Sequence, residues 1–211
     1  MRSFWSDPFL WVHFSGLAVV PIFLELCWLG LAVGDPVLPV WLEFFLVAAI
    51  GIAPVLWMQL FRPFYIFSFL FVSLKPEQLT TEQRRILSLF KTQVNQVLAA
   101  ITSVFLLWVL WQIYCLAPVV ADVTPLPPGG RLAGLLLAGL AFMASNLFVQ
   151  IPVSVARSLL ISEAQFSATE PYPLEKISGD FTIPGWWVNQ ILPPMATTPT
   201  ATTTASEPEK T

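Results

Sequence analysis

Four runs of apolar side chains, each long enough to cross a bilayer, constrain this chain more than any other feature. A spanning helix needs about 20 predominantly apolar residues. Runs of that kind occupy residues 9–33, 37–61, 94–116 and 132–153. Lipid offers no partner to a backbone N–H or C=O, so each run has to close its own hydrogen bonds as a helix. The expected fold is therefore all-α, a polytopic membrane helical bundle of about four transmembrane helices. Composition supports this: 56% of the 211 residues are hydrophobic and 11% are charged, against about 25% charged in soluble domains. A soluble fold this short lacks the core volume to hide so much apolar surface.

A fifth apolar stretch, residues 63–74, is too short to span. It reads as a helix lying near the cytoplasmic interface, where Phe64, Tyr65, Phe67, Phe69 and Phe71 suit the depth. The alternative is a long, tilted second helix that protrudes. The first run exceeds the h-region of a signal peptide and no small-residue cleavage site follows it, so it is expected to remain as an anchor. With four spans, nine of the ten basic residues fall on one side: Arg2, Arg62, Lys75, Arg84, Arg85, Lys91, Arg157, Lys176 and Lys210, against Arg131 alone. Basic residues mark the cytoplasmic face, so both termini are expected there. The loops on the other side, residues 34–36 and 117–130, are too short to form a domain.

Three regions follow. Residues 1–161 form the transmembrane region, with a cytoplasmic helix near 80–93. Thr80 and Gln83 have the spacing of a capping box, and Ile86, Leu87, Phe90, Val94, Val97 and Leu98 recur on one helical face. That helix is expected to run directly into the third span. Its other side, with Gln83, Arg84 and Lys91, is either a solvated collar or a docking surface for a partner or anionic lipid. Residues 162–195 form a cytoplasmic extended or interfacial segment in which Trp186 and Trp187 serve as a lipid anchor or a partner contact. Residues 196–211 are rich in Thr, Ala and Pro and bury too little to order themselves, so a disordered tail is expected.

Few residues could carry chemistry. An ionisable side chain inside a span is a functional hypothesis by default. Glu25 is the leading one, as a proton- or cation-handling carboxylate or as a protonated group bonded to a neighbouring helix. Glu43, near the outer entrance of the second span, is expected to be hydrated. His13 could supply the single axial ligand that chlorophyll magnesium needs, or could bond to a neighbour or to interfacial water. Asn146 and Gln150, four apart, share a helix face and suit interhelical hydrogen bonds. Gly30 and Gly34, Ala49 and Ala53, Gly134 and Ala138, and Ala141 and Ser145 have the spacing that lets helices approach closely. One histidine and two cysteines, Cys27 and Cys115, argue against a multi-histidine metal site and a disulfide framework. A net charge of -3 without a basic cluster argues against nucleic acid as a partner. Walker, HExxH, CxxC and GxSxG motifs are absent from the sequence, so no enzymatic activity, no catalytic residue and no cofactor is expected.

The run SFWSDPFLWVHFSGLAVVP, then LGLAVGDPVLPVWLEFFLVAAIGIAPVLWMQLFRPFYIFS, then LKPEQLTTEQRRILSLFK, resembles a family of cyanobacterial membrane proteins named for a low-complexity tail after about four spans. The resemblance covers about residues 3–195. It implies a thylakoid or other cyanobacterial membrane and an auxiliary role near photosystem II biogenesis, and it transfers no catalytic residue. The leading expectation is a non-enzymatic accessory protein that contacts lipid and a membrane complex, with photosystem II subunits or assembly intermediates as the partner the resemblance implies. Arg84, Arg85, Phe90, Trp186 and Trp187 are its expected contact residues. The alternative is a small transporter or a lipid- or pigment-handling protein that uses Glu25 or His13.

Overall fold

The structure, a computed structural model, describes residues 3–69, 71–124, 126, 127 and 129–191. Four apolar spans cross in alternating directions: Pro8–Leu31, Val40–Phe61, Gln93–Val123 and Arg131–Leu160. The first is broken into α1 (Pro8–Ser15), a 3-10 turn (Gly16–Val19) and α2 (Val20–Leu31). Asp7 caps α1 by accepting from Phe9 N (2.9 Å), and Pro8 takes the first turn, where a missing N–H costs nothing. The second span is α3 (Val40–Phe61), which carries Pro54 in its interior. At the far end of α3 the chain leaves the bundle through strands β1 (Ser68–Phe69) and β2 (Val72–Leu74), then α4 (Thr81–Phe90). The third span is α5 (Gln93–Leu116), which tightens into a 3-10 stretch (Ala117–Val123), and the fourth is α6 (Arg131–Leu160). Two short helices, α7 (Glu163–Ala168) and α8 (Leu174–Asp180), and strand β3 (Trp186–Val188) follow.

The central element is α6, which packs against α1, α2, α3, α4 and α5. Its small side chains explain this. A Cβ on Gly30 of α2 would lie 2.7 Å from Gly134 O, and one on Gly134 would lie 2.8 Å from Val33 Cβ, so the two backbones touch. Gly51 of α3 takes the Phe142 ring in the same way, and Gly139 takes Ile50. Three of the four small-residue spacings therefore lie at least partly on packed faces, whereas Ala49 and Ala53 point outward.

Two cores result. One lies inside the bundle, around Cys27, Val47, Leu106, Leu110, Leu135 and Phe142. The other lies at the bundle end shared by the start of α1 and the end of α6, around Phe4, Tyr65, Phe67, Phe90, Phe166 and Phe181. This second core corrects two expectations. Residues 63–74 are not an interfacial helix: β1 and β2 pair antiparallel, Ser68 opposite Ser73, and β3 joins β2 in parallel, Ser73 opposite Trp187. The β-branched and aromatic side chains of the segment suit a pleat, and residues 182–188 accept and supply the backbone bonds a helix would have kept to itself. Nor does α4 run into α5. The chain breaks at Lys91 and Thr92, where Lys91 Nζ donates to Phe61 O at the end of α3 (2.9 Å) and Arg157 Nη1 donates to Thr92 Oγ1 (2.6 Å). The part of segment 162–195 within the described residues is folded onto this core. Residues 192–195 and the expected tail 196–211 lie outside the described residues, as do Arg2 and Lys210.

Candidate functional site

The sheet end is assembled from side chains that each close a local need and a distant one. Thr80 caps α4 by accepting from Gln83 N (3.2 Å), and Gln83 Oε1 in turn accepts from Thr80 N (3.1 Å). The same Gln83 donates through Nε2 to Asp7 Oδ2 (2.9 Å), so one glutamine joins the caps of α4 and α1. Burial pushes the Asp7 carboxyl up, and the Gln83 bond opposes that shift. Arg84 Nε donates to Tyr172 O (2.7 Å) and Arg84 O accepts from Tyr172 N (3.1 Å), which docks the segment after α7 onto α4. Tyr172 Oη donates to Asp180 Oδ2 (2.5 Å), and Lys91 lies 3.7 Å from the other carboxylate oxygen.

That contact has a pH consequence. The Tyr172 hydrogen bond, helped by Lys91, holds the Asp180 carboxyl below its ordinary value of 3.8, against a smaller opposing effect of burial. A depressed carboxyl stabilises the fold above its unfolded pKa and loses that contribution as pH falls through the folded one. Docking of α8 should therefore be unchanged from neutrality to about pH 4 and weaken below it. Asp180→Asn should flatten this acid dependence, as followed by the fluorescence of Trp187, which packs on Tyr65 at 5.9 Å.

The outer face of the sheet is aromatic and uncovered. Trp186 is 75% exposed and Phe69 47%, in the cross-strand row they share with Val72, and Phe71, in the turn that leads into β2, is 70% exposed. They are held firmly from behind: Tyr65 and Phe67 are fully buried, Tyr65 Oη donates to Leu74 O (2.9 Å) and Ser73 Oγ donates to Pro184 O (2.7 Å). This makes a preformed apolar contact surface on a polar-bonded frame.

At the opposite end of the bundle lies a second constellation. Glu43, in the first turn of α3, and Arg131, which opens α6, form a buried ion pair. Arg131 Nε reaches both carboxylate oxygens (3.2 and 3.0 Å), and Nη2 also donates to Glu43 Oε2. Arg131 Nη1 donates to Leu31 O (2.6 Å) and Val33 O (3.2 Å) at the end of α2. Glu43 accepts from Val37 N (3.0 Å), Leu38 N (3.3 Å) and Tyr114 Oη of α5 (3.1 Å). One pair thus ties all four spans and fixes the loop between α2 and α3. It borders a cleft of about 850 Å³ walled by Trp111, Tyr114, Asp35 and Asp122. Its partners Leu31 O, Val33 O, Val37 N, Leu38 N and Tyr114 Oη all belong to the protein, so the pair holds helices together.

Residues 6–193 match a family model described as low-complexity tail membrane protein-like. The chain belongs to that family. No curated protein and no solved structure matches it.

Within this low-complexity tail membrane protein-like chain, the residues singled out from sequence scatter. Trp186 and Trp187 sit together on β3. Arg84 is the clamp on Tyr172, and Arg85 is half-buried. Phe90 corrects the expected contact set: at 1% exposure it belongs to the sheet-end core and presents no surface. Among the polar residues of the spans, Asn146 and Gln150 do meet, Gln150 Nε2 donating to Asn146 Oδ1 (3.1 Å). Their partners lie on other spans, with Asn146 Nδ2 donating to Gly51 O (3.0 Å) and Gln150 Nε2 to Ser103 Oγ (2.8 Å). His13 Nδ1 bonds back to Phe9 O (2.9 Å), with its ring beside Phe64. Glu25 lies on the exposed face of α2, apart from His13. Glu43 is not hydrated at a helix entrance as expected but fully buried. The signal that could have found its partner was present: span counting places Glu43 and Arg131 at the same end of the bundle with opposite charges.

Proposed function

We propose that this protein is a non-catalytic membrane accessory that works by contact, with the exposed aromatics Phe69 and Trp186 of the sheet and Phe71 of its turn as its docking surface. The observation that carries this reading is an exposed aromatic patch of 47–75% accessibility per residue on a frame pinned by buried hydrogen bonds. Aromatic anchors held rigidly lose little entropy on binding and dominate interfaces. The sequence resemblance supports a thylakoid setting and, as the partner, photosystem II subunits or assembly intermediates. The sorting of basic residues supports a cytoplasmic position for both termini and for the sheet. The spans themselves contact lipid through residues such as Trp57, Val104 and Phe105. No cofactor is required for this role. For the alternative, transport or pigment handling through Glu25 or His13, Glu25 lies on the exposed face of α2 and His13 Nδ1 is engaged with Phe9 O.

Affinity purification in mild detergent tests the reading. The wild-type protein, colourless apart from what its partners bring, should carry photosystem II subunits. Trp186→Ser with Phe71→Ser should weaken that association by about 2 kcal/mol, roughly 30-fold, as loss of an aromatic hot spot does. A wild-type protein that reproducibly purifies alone would remove the basis of the proposal.

A further inference from the structure

The interior of the bundle carries a polar stripe that neither the ion pair nor the sheet face uses. Asn146, Gln150, Ser154 and Ser158 recur every four residues on α6, and all are buried. They face α3 and α5, where Gln59, Asn95 and Ser103 are buried too. The bonds from Asn146 to Gly51 O and from Gln150 to Ser103 Oγ set the registers. Because α3 and α6 run the same way, Gln59, just over two turns past Gly51, is level with Ser154, just over two turns past Asn146. Because α5 runs the opposite way, Asn95 is level with Ser158. The seam therefore collects all these groups on the sheet-end side of Phe142.

Its hydrogen-bond ledger does not close within the protein. Gln59 Oε1, Asn95 Oδ1 and Gln150 Oε1 have no partner among the described residues, and neither has Gln59 Nε2. Ser154 and Ser158 donate to the carbonyls of Gln150 and Ser154, so their oxygens remain able to accept. Acceptors outnumber donors, and each buried group left unmade costs about 1–3 kcal/mol. Lipid cannot satisfy them, whereas a small hydrogen-bond donor can. Below Ser158 the polarity continues to half-buried Arg157 and Thr92, which meet at 2.6 Å at the edge of the bundle. Above Asn146 it stops, because Phe142, fully buried, fills the space over Gly51.

We propose that the α3–α5–α6 seam is a hydrated blind vestibule: water enters from the sheet end past Thr92 and Arg157, donates to the amide oxygens of Gln59, Asn95 and Gln150, and is stopped by Phe142. Sites of this kind, polar and offering each water two or more partners, are where buried water resides. The vestibule gives the protein polar access part-way through the membrane without a path across it.

Water-edited solid-state NMR of the full chain in bilayers, with side-chain amides of Gln and Asn labelled, reads this directly. Magnetisation from water should reach the Gln59 and Gln150 amides on the timescale of the exposed Trp186 indole, while Phe142 and Leu135 stay dark. Gln59 and Gln150 as dark as Leu135 would overturn the proposal. In Gln59→Leu, water transfer to Gln150 should be lost while the shifts of Phe142 and Leu135 hold. An unchanged Gln150 signal in that variant would rule out a single connected vestibule. The wild-type measurement decides the matter even where the variant does not fold.

Discussion

Arg131→Met should destabilise the bundle by about 3–5 kcal/mol, because it leaves the Glu43 carboxylate buried without its cation. Glu43→Leu should cost a similar amount by stranding the guanidinium. Both substitutions together should recover part of the loss, since neither charge then remains uncompensated. Recovery should be incomplete. The pair also satisfies Leu31 O, Val33 O, Val37 N and Leu38 N, and an apolar pair leaves those backbone groups to whatever water can reach them. The expected order of thermal stability in detergent is wild type, then the double variant, then either single variant. A double variant as stable as the wild type would mean that the loop between α2 and α3 is held by something other than this pair. A loss in the double variant equal to the sum of the two single losses would mean that the charges do not interact. The sheet end has its own core, so the fluorescence of Trp187 against Tyr65 should change little at temperatures where the bundle is intact.

How much of this was legible in the sequence follows from the range of the interactions. The four spans were readable because a spanning helix is specified locally: lipid forces every backbone bond inside a continuous apolar run. The α4 cap was readable for the same reason, since Thr80 and Gln83 carry the whole signal within one turn. The sheet was not. A 12-residue apolar run fits a short helix or a strand equally by composition, and what decides for the strand is β3, whose residues lie more than 110 positions further along. The ion pair was half legible. Arg131 stood out as the one basic residue on its side, yet depth in the span drew attention to Glu25, which faces outward, and away from Glu43. A charge near a helix end reads as hydrated from sequence; only the approach of α2 to α6 through Gly30 and Gly134 closes that end and buries it. The interior stripe of α6 was visible as the pair Asn146 and Gln150, but Gln59 and Asn95 join it only through the relative directions of three helices.

The largest effect on the sheet face should come from a residue with no side chain. Gly185 has φ 69°, a left-handed conformation, and a Cβ built on it would run into the Phe71 carbonyl. That carbonyl is the acceptor for Trp186 N (2.9 Å), the first bond of β3 to β2. Gly185→Ala meets about 1–2 kcal/mol of backbone strain, and the steric conflict cannot relax without moving Phe71 or releasing β3. Release is the cheaper course, because β3 is three residues long and lies at the sheet edge. The expected result is loss of the Tyr65–Trp187 contact, seen as a change in Trp fluorescence, with the unfolding temperature of the bundle little altered. Partner capture should fall as it does in Trp186→Ser with Phe71→Ser, since the aromatic face is no longer assembled. Gly179→Ala is the matched control: it lies in α8, an added Cβ has nothing within 4 Å, and a helical alanine there should be neutral or stabilising by up to about 1 kcal/mol. If Gly185→Ala keeps both the fluorescence and the partner, then β3 stays seated without a glycine at its entry. If it loses the fluorescence and keeps the partner, docking lies elsewhere on the molecule.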